Sequence, residues 1–142
     1  MSDEILKVTN VSRVYETSGG GFGRKNKVSA LDGVSFNLVQ GETLGVVGES
    51  GCGKSTLARL LARLIEPTSG TVLLDGADVT GASSKELLKL RRDIQIVFQD
   101  PYACLNPRHS IGQSIGTPIR IQKTMSRADE KNRVQELMEL VG

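Results

Sequence analysis

Within one short stretch, Thr43 to Thr56, the sequence TLGVVGESGCGKST turns from apolar to glycine-rich to helix-forming. That succession limits the fold more than any other part of the chain. Thr43 to Val47 is nearly uninterrupted apolar sequence, the pattern of a parallel strand buried on both faces. Gly48 to Lys54 is built of glycines and small polar residues, and with Ser55 it fits G-x-x-x-x-G-K-[ST]. From Ser55 the sequence STLARLLARLI is rich in strong helix formers. In it Leu57, Leu60, Leu61, Leu64 and Ile65 make one apolar stripe.

Strand, glycine loop and helix in this order point to a phosphate-binding loop. A triphosphate packs negative charge into a small volume. Successive backbone N–H groups surround it only where side chains are absent and positive φ is accessible, which Gly48, Gly51 and Gly53 allow. The helix that follows aims its first N–H groups at the same place. The expected ligand-contacting residues are Gly48, Glu49, Ser50, Gly51, Cys52, Gly53, Lys54, Ser55 and Thr56. Among them Lys54 reaches the β- and γ-phosphates, and the Ser55 hydroxyl ligates Mg²⁺. The competing reading is an ordinary glycine turn before a helix, which the flanking elements disfavour.

Composition narrows the class further. The chain has 142 residues, the size of one domain or part of one. Its 18 basic and 16 acidic residues leave a net charge of +2, and the basic residues are dispersed, so a nucleic-acid partner is not expected. No apolar run is long enough to span a membrane, and the start, MSDEILKV, lacks a signal-peptide core. Of the two cysteines, Cys52 lies in the loop and Cys104 beyond it, which suggests a reduced, cytosolic chain, with Cys104 a small buried residue.

Along the chain, Ile5 to Tyr15 reads as a strand and Thr17 to Lys27 as a glycine- and lysine-rich loop. Val28 to Val39 reads as a strand pair broken at Gly33, giving an antiparallel start to the fold. Pro67 to Gly70 stops the helix after the loop, Thr71 to Asp75 is a strand, and Gly76 a turn. Ser83 and Glu86 are spaced as a capping box for a helix through about Arg91. Ile94 to Phe98 is a strand broken by Gln99-Asp100-Pro101. Helical stretches from Ser110 to Ile121 are interrupted by Gly116 and Pro118. Ser126 caps a last helix with Val134, Leu137, Met138 and Val141 on one face.

Tyr15, the phosphate loop, PTSGTVLLDG and IQIVFQDPYACLNPR, in that order, resemble the ATP-binding subunit of an ABC transporter. QDPYACLNPRHSIGQSI is similar to the subunits that power di- and oligopeptide import. The resemblance implies an α/β P-loop NTPase core with an antiparallel β subdomain at the N-terminus. It also implies the start of a helical subdomain from about residue 100 to 142. Residues 1–142 match the N-terminal part of such a nucleotide-binding domain. Gln99 falls where the family has a glutamine that contacts Mg²⁺ and the attacking water, and Tyr15 where it has an aromatic stacked on adenine. The implied cofactors are ATP and Mg²⁺. The implied partners are transmembrane permease subunits and a second ATP-binding subunit, identical or not. The implied place is the cytoplasmic face of the cell membrane, held peripherally. No LSGGQ-like stretch follows Gln99, and no apolar strand ends in Asp-Glu. The expectation is therefore a truncated chain, inactive in hydrolysis by itself.

Two other functions stay open at this level, the first being another P-loop enzyme, a GTPase or a small-molecule kinase. Asp78-Val79-Thr80-Gly81 fits the D-x-x-G of a GTPase, although Asn26-Lys27 lacks the Asp of a guanine motif and precedes the loop. A nucleotide-binding docking module without hydrolysis is the other.

Overall fold

The computed structural model describes residues 3–18, 25–123 and 125–142. It forms two compact units, Met1–Gln95 and Ile96–Gly142. In the first, β1 (Glu4–Ser18) and β2 (Lys25–Val39) pair antiparallel over almost their full length. On its other edge β1 takes β3 (Ser69–Leu74), which turns back into the short β4 (Ala77–Asp78), so the sheet order is β2-β1-β3-β4. Between β2 and β3 lies helix α1 (Lys54–Leu61), and after β4 comes α2 (Ser84–Asp93).

Val8 of β1 and its partner Val72 of β3 share a buried face, and the register irregularity between Val8 and Val11, where Asn10 takes φ 51°, turns Val11 inward as well. There they join Leu31, Leu57, Leu60, Val79 and Leu90 in one buried cluster. Local chemistry sets the turns. Asp75 (φ 47°) and Gly76 (φ 76°) both take positive φ, the two-residue turn that matches strand twist between β3 and β4. Gly70, at φ 88°, lies so close to β1 that a side chain there would meet the Asn10 carbonyl. Ser83 and Glu86 form the expected capping box of α2.

Several expectations need correction. Val28 to Val39 is one strand, not two. Gly33 (φ 61°) sits within β2, where the register to β1 shifts, and donates its N–H to Ser12 Oγ at 2.9 Å, so the ladder bends without breaking. The expected loop 17–27 is strand at both ends; residues 19–24 lie outside the described residues. Helix α1 stops at Leu61 rather than Ile65. Arg63 turns left-handed (φ 53°), with Leu64 N–H bonded to Arg59 O and Arg63 N–H to Leu60 O, the bond pair of a Schellman close.

The largest correction concerns two expected strands. Neither Thr43–Val47 nor Ile94–Phe98 forms a strand, and Val47 and Val97 are 92% and 97% exposed. An apolar run becomes a strand only when a neighbour takes up its N–H and C=O groups. Among the described residues the sheet holds β1 to β4 alone.

In the second unit, a short turn of helix, α3 (Pro101–Cys104), precedes α4 (Ile111–Gln122) and α5 (Arg127–Val141), which pack on each other. Helix α4 runs through Gly116 and Pro118, against expectation. Pro118 removes only one ladder bond, the N-terminus is fixed by a Ser110/Gln113 capping box, and Gly116 lets α5 approach so closely that a Cβ would meet the Glu130 carboxylate. Ser126 caps α5 as expected, but Met138 and Val141 of its apolar face are exposed. Cys104 is exposed, not buried; its thiol donates to Asp100 O at 3.1 Å within the α3 turn.

Candidate nucleotide-binding site

The loop Gly48–Gly53 closes onto the start of α1. Gly51 (φ 84°) and Gly53 (φ 96°) take the left-handed backbone that other residues resist. At Gly53 the conformation is also enforced by space, because a side chain would run into the Ala30 carbonyl and the Leu31 side chain of β2. Lys54, the first residue of α1, folds its ammonium back over the loop. Its Nζ donates to Gly48 O at 2.7 Å and Glu49 O at 2.6 Å and lies 3.4 Å from Cys52 Sγ, so all three donors point at the loop. A cation thus stands at the mouth of the loop beside the positive end of the helix dipole.

The helix start itself is open. Ser83, Ser110 and Ser126 each cap their helices with a side-chain oxygen, whereas α1 begins at Gly53 with no side-chain cap. Its first N–H groups therefore have no acceptor from a capping side chain, the condition an anion meets. Ser55 and Thr56 lie in the first turn, Ser55 exposed. A hydroxyl at this place suits a hard cation that takes most of its other ligands from a polyphosphate and water.

Tyr15 lies on β1, beside β2. It is paired with Val28 in the β1–β2 register, and two and three residues further on Ala30 and Leu31 are the groups that close on Gly53. Its ring is half-buried and carries the Arg13 guanidinium over one face, with Cζ 4.6 Å from the ring centroid. The sequence reading passed over Arg13; the available signal was a cation two residues before an aromatic, on the same face of a strand. Gln99 lies at an exposed bend in the second unit. The D-x-x-G stretch serves the fold. Asp78 accepts from Thr80 N–H at 2.7 Å, and the bonds from Thr80, side chain first, hold its carboxyl below the usual carboxylate range. Thr80 Oγ1 in turn accepts from Val72 N–H at 2.8 Å.

A glycine loop closed by a lysine at an uncapped helix start, set beside an antiparallel sheet, defines a P-loop nucleotide-binding fold. The chain belongs to the ABC transporter family, whose profile matches residues 31–142. It is 49% identical over 140 residues to the di/tripeptide transport ATP-binding protein DppF of Pseudomonas aeruginosa, covering 99% of this chain and 43% of that protein. It is 44% identical over 142 residues to the oligopeptide transport ATP-binding protein AppF of Bacillus subtilis, again 99% of this chain and 43% of the relative. The chain thus spans less than half the length of these relatives. Among solved structures, a dimeric ATP-binding cassette in a post-hydrolysis state bound to ADP and Pi matches with a TM-score of 0.75 and 28% identity, over 95% of this chain and 56% of the other. Among the described residues no helix is long and apolar enough to cross a membrane.

Proposed function

We propose that this chain binds MgATP in the Gly48–Thr56 loop and, within the complete protein, contributes to ATP hydrolysis that drives import of short peptides through an ABC transporter. The observation that carries the reading is the closed loop itself, with the Lys54 ammonium held by the Gly48 and Glu49 carbonyls in front of an uncapped helix start. The names of the peptide-transport relatives carry the cargo class. On this reading the β- and γ-phosphates take the place of the loop carbonyls as acceptors for Lys54. The N–H groups at the start of α1 bind the same oxygens, and Tyr15 stacks on the adenine. Ser55 and Gln99 would hold Mg²⁺, which would supply neutralisation of the charge that builds up on the phosphates. Gln99 also orients the attacking water. The contacts that close the site come from a second ATP-binding subunit. The partners are transmembrane permease subunits, with the chain held peripherally on the cytoplasmic face.

Lys54→Ala tests this directly. Losing one charge-assisted contact costs about 1.5–3 kcal/mol, a drop in ATP affinity of roughly tenfold to a hundredfold by calorimetry. Unchanged ATP affinity would remove the loop from the binding site.

A further inference from the structure

We propose that Arg13 is a positioning residue that fixes the Tyr15 ring as a platform for adenine, a proposal that rests on the adenine-stacking role of Tyr15. The Arg13 guanidinium is held by two contacts. Its Cζ lies over the Tyr15 ring, 4.6 Å from the centroid, and its Nη1 donates to the Glu66 carbonyl at 2.9 Å. Glu66 lies in the turn between α1 and β3, and that turn is fastened to the same stretch of β1 twice more. Thr68 N–H donates to Ser12 O at 2.8 Å, and Val14 N–H donates to Thr68 Oγ1 at 3.0 Å. The strand residues on both sides of Arg13 are thus clamped to the turn that ends the phosphate-loop helix, and Arg13 extends the clamp to the ring.

Arg13 Nε is buried with no hydrogen-bond partner. A guanidinium placed for its own hydrogen bonding would not leave a donor stranded, so a different interaction holds it in place. The stacking contact with Tyr15 is that interaction. Two consequences follow for the ligand. The base takes the ring face opposite Arg13, because the covered face is closed by a side chain anchored to Glu66. The ring also meets the base in one orientation, which reduces the ordering cost of binding. The phosphates are untouched by either effect.

The test is binding of MgATP and of inorganic tripolyphosphate, measured by calorimetry on the full chain. Arg13→Ala is expected to weaken ATP about two- to fivefold, the span of an exposed cation–π contact, and to leave tripolyphosphate unchanged. Arg13→Gln keeps a donor for the Glu66 carbonyl and loses the charge; it should show the same ATP-selective loss, which keeps the test valid if the alanine variant folds poorly. Arg13→Lys should recover part of it. In a Tyr15→Ala background, Arg13→Gln should change nothing further. Equal losses for ATP and tripolyphosphate in the Arg13 variants, or additive losses in the double variant, would overturn the proposal while leaving the role of Tyr15 intact. A Tyr15→Ala variant that keeps its preference for ATP over tripolyphosphate would overturn the stacking role and this proposal with it.

Discussion

The two units hold themselves together by different means. In Met1–Gln95, residues far apart in sequence meet: Val8 and Val11 from β1, Leu57 and Leu60 from α1, Val72 from β3 and Leu90 from α2 share one buried cluster. In Ile96–Gly142 none of the described apolar side chains is fully buried, and among the described residues there only Gly116 is buried. Its helices rest on near-neighbour devices instead: the serine caps at Ser110 and Ser126, the close approach at Gly116, and the Arg120–Glu130 pair. Long-range burial makes a cooperative unit, whereas caps and ion pairs contribute in separate small increments. The nucleotide loop is attached to the first kind of structure, so its geometry is backed by a core.

That contrast is broken most sharply at Leu60, which is completely buried. Leu60→Ala removes methylenes and leaves a cavity, and is expected to cost about 2–5 kcal/mol in urea unfolding. Leu137→Ala, on the half-buried face of α5, is expected to cost on the order of 1 kcal/mol. Similar losses at both positions would mean that the second unit has a core of its own.

The same contrast explains what could be read from sequence. Features decided within a few residues were legible: the loop and its lysine, the Ser83–Glu86 box, the Ser126 cap, the turn at Gly76. Features decided by distant partners were not. Thr43–Val47 and Ile94–Phe98 have the composition of buried strands, yet composition does not supply a neighbouring strand, and both runs lie outside the sheet. The left-handed close at Arg63 and the passage of α4 through Pro118 also depend on context, since a Schellman turn usually takes glycine and a helix interior usually excludes proline. The candidate site follows the same rule. Its contiguous part, Gly48 to Thr56, was legible as one motif, while the Arg13 contact on Tyr15 depends on a carbonyl 53 positions further along.

Smaller changes sharpen the picture of the second unit. Ser110→Ala removes the oxygen that accepts from Gln113 N–H at 3.2 Å and leaves in place the other half of the box, the backbone Ser110 N–H donated to Gln113 Oε1. Losing such a cap costs typically about 1 kcal/mol, and fraying of α4 should appear as faster hydrogen exchange over its first turn. Because the first unit is held by its own core, exchange in β1 and β3 should stay unchanged. Slower protection lost equally in β1 would show that the two units unfold together.

The last prediction concerns pH. Arg120 Nη2 donates to Glu130 Oε1 at 2.5 Å, and this hydrogen bond, followed by the attraction of Arg120 and of Arg127, holds the Glu130 carboxyl below its ordinary value. A carboxyl that is more acidic folded than unfolded stabilises the fold wherever it is ionised in both states, above its unfolded pKa. The contribution is lost as pH falls through the depressed folded value, because the proton then binds the unfolded chain first. Acidification from neutral pH should therefore loosen the α4–α5 pair, seen as a loss of helical circular dichroism, and Glu130→Gln should flatten that part of the profile. Glu86 in the first unit is depressed in the same direction by its bonds with Ser83, so a drop on acidification does not by itself identify the source. The difference between wild type and Glu130→Gln does. Added salt should shrink that difference, since Arg120 is more than half exposed. A profile identical in both proteins would show that the Arg120–Glu130 contact contributes nothing to the second unit, and that its caps and the Gly116 approach hold it alone.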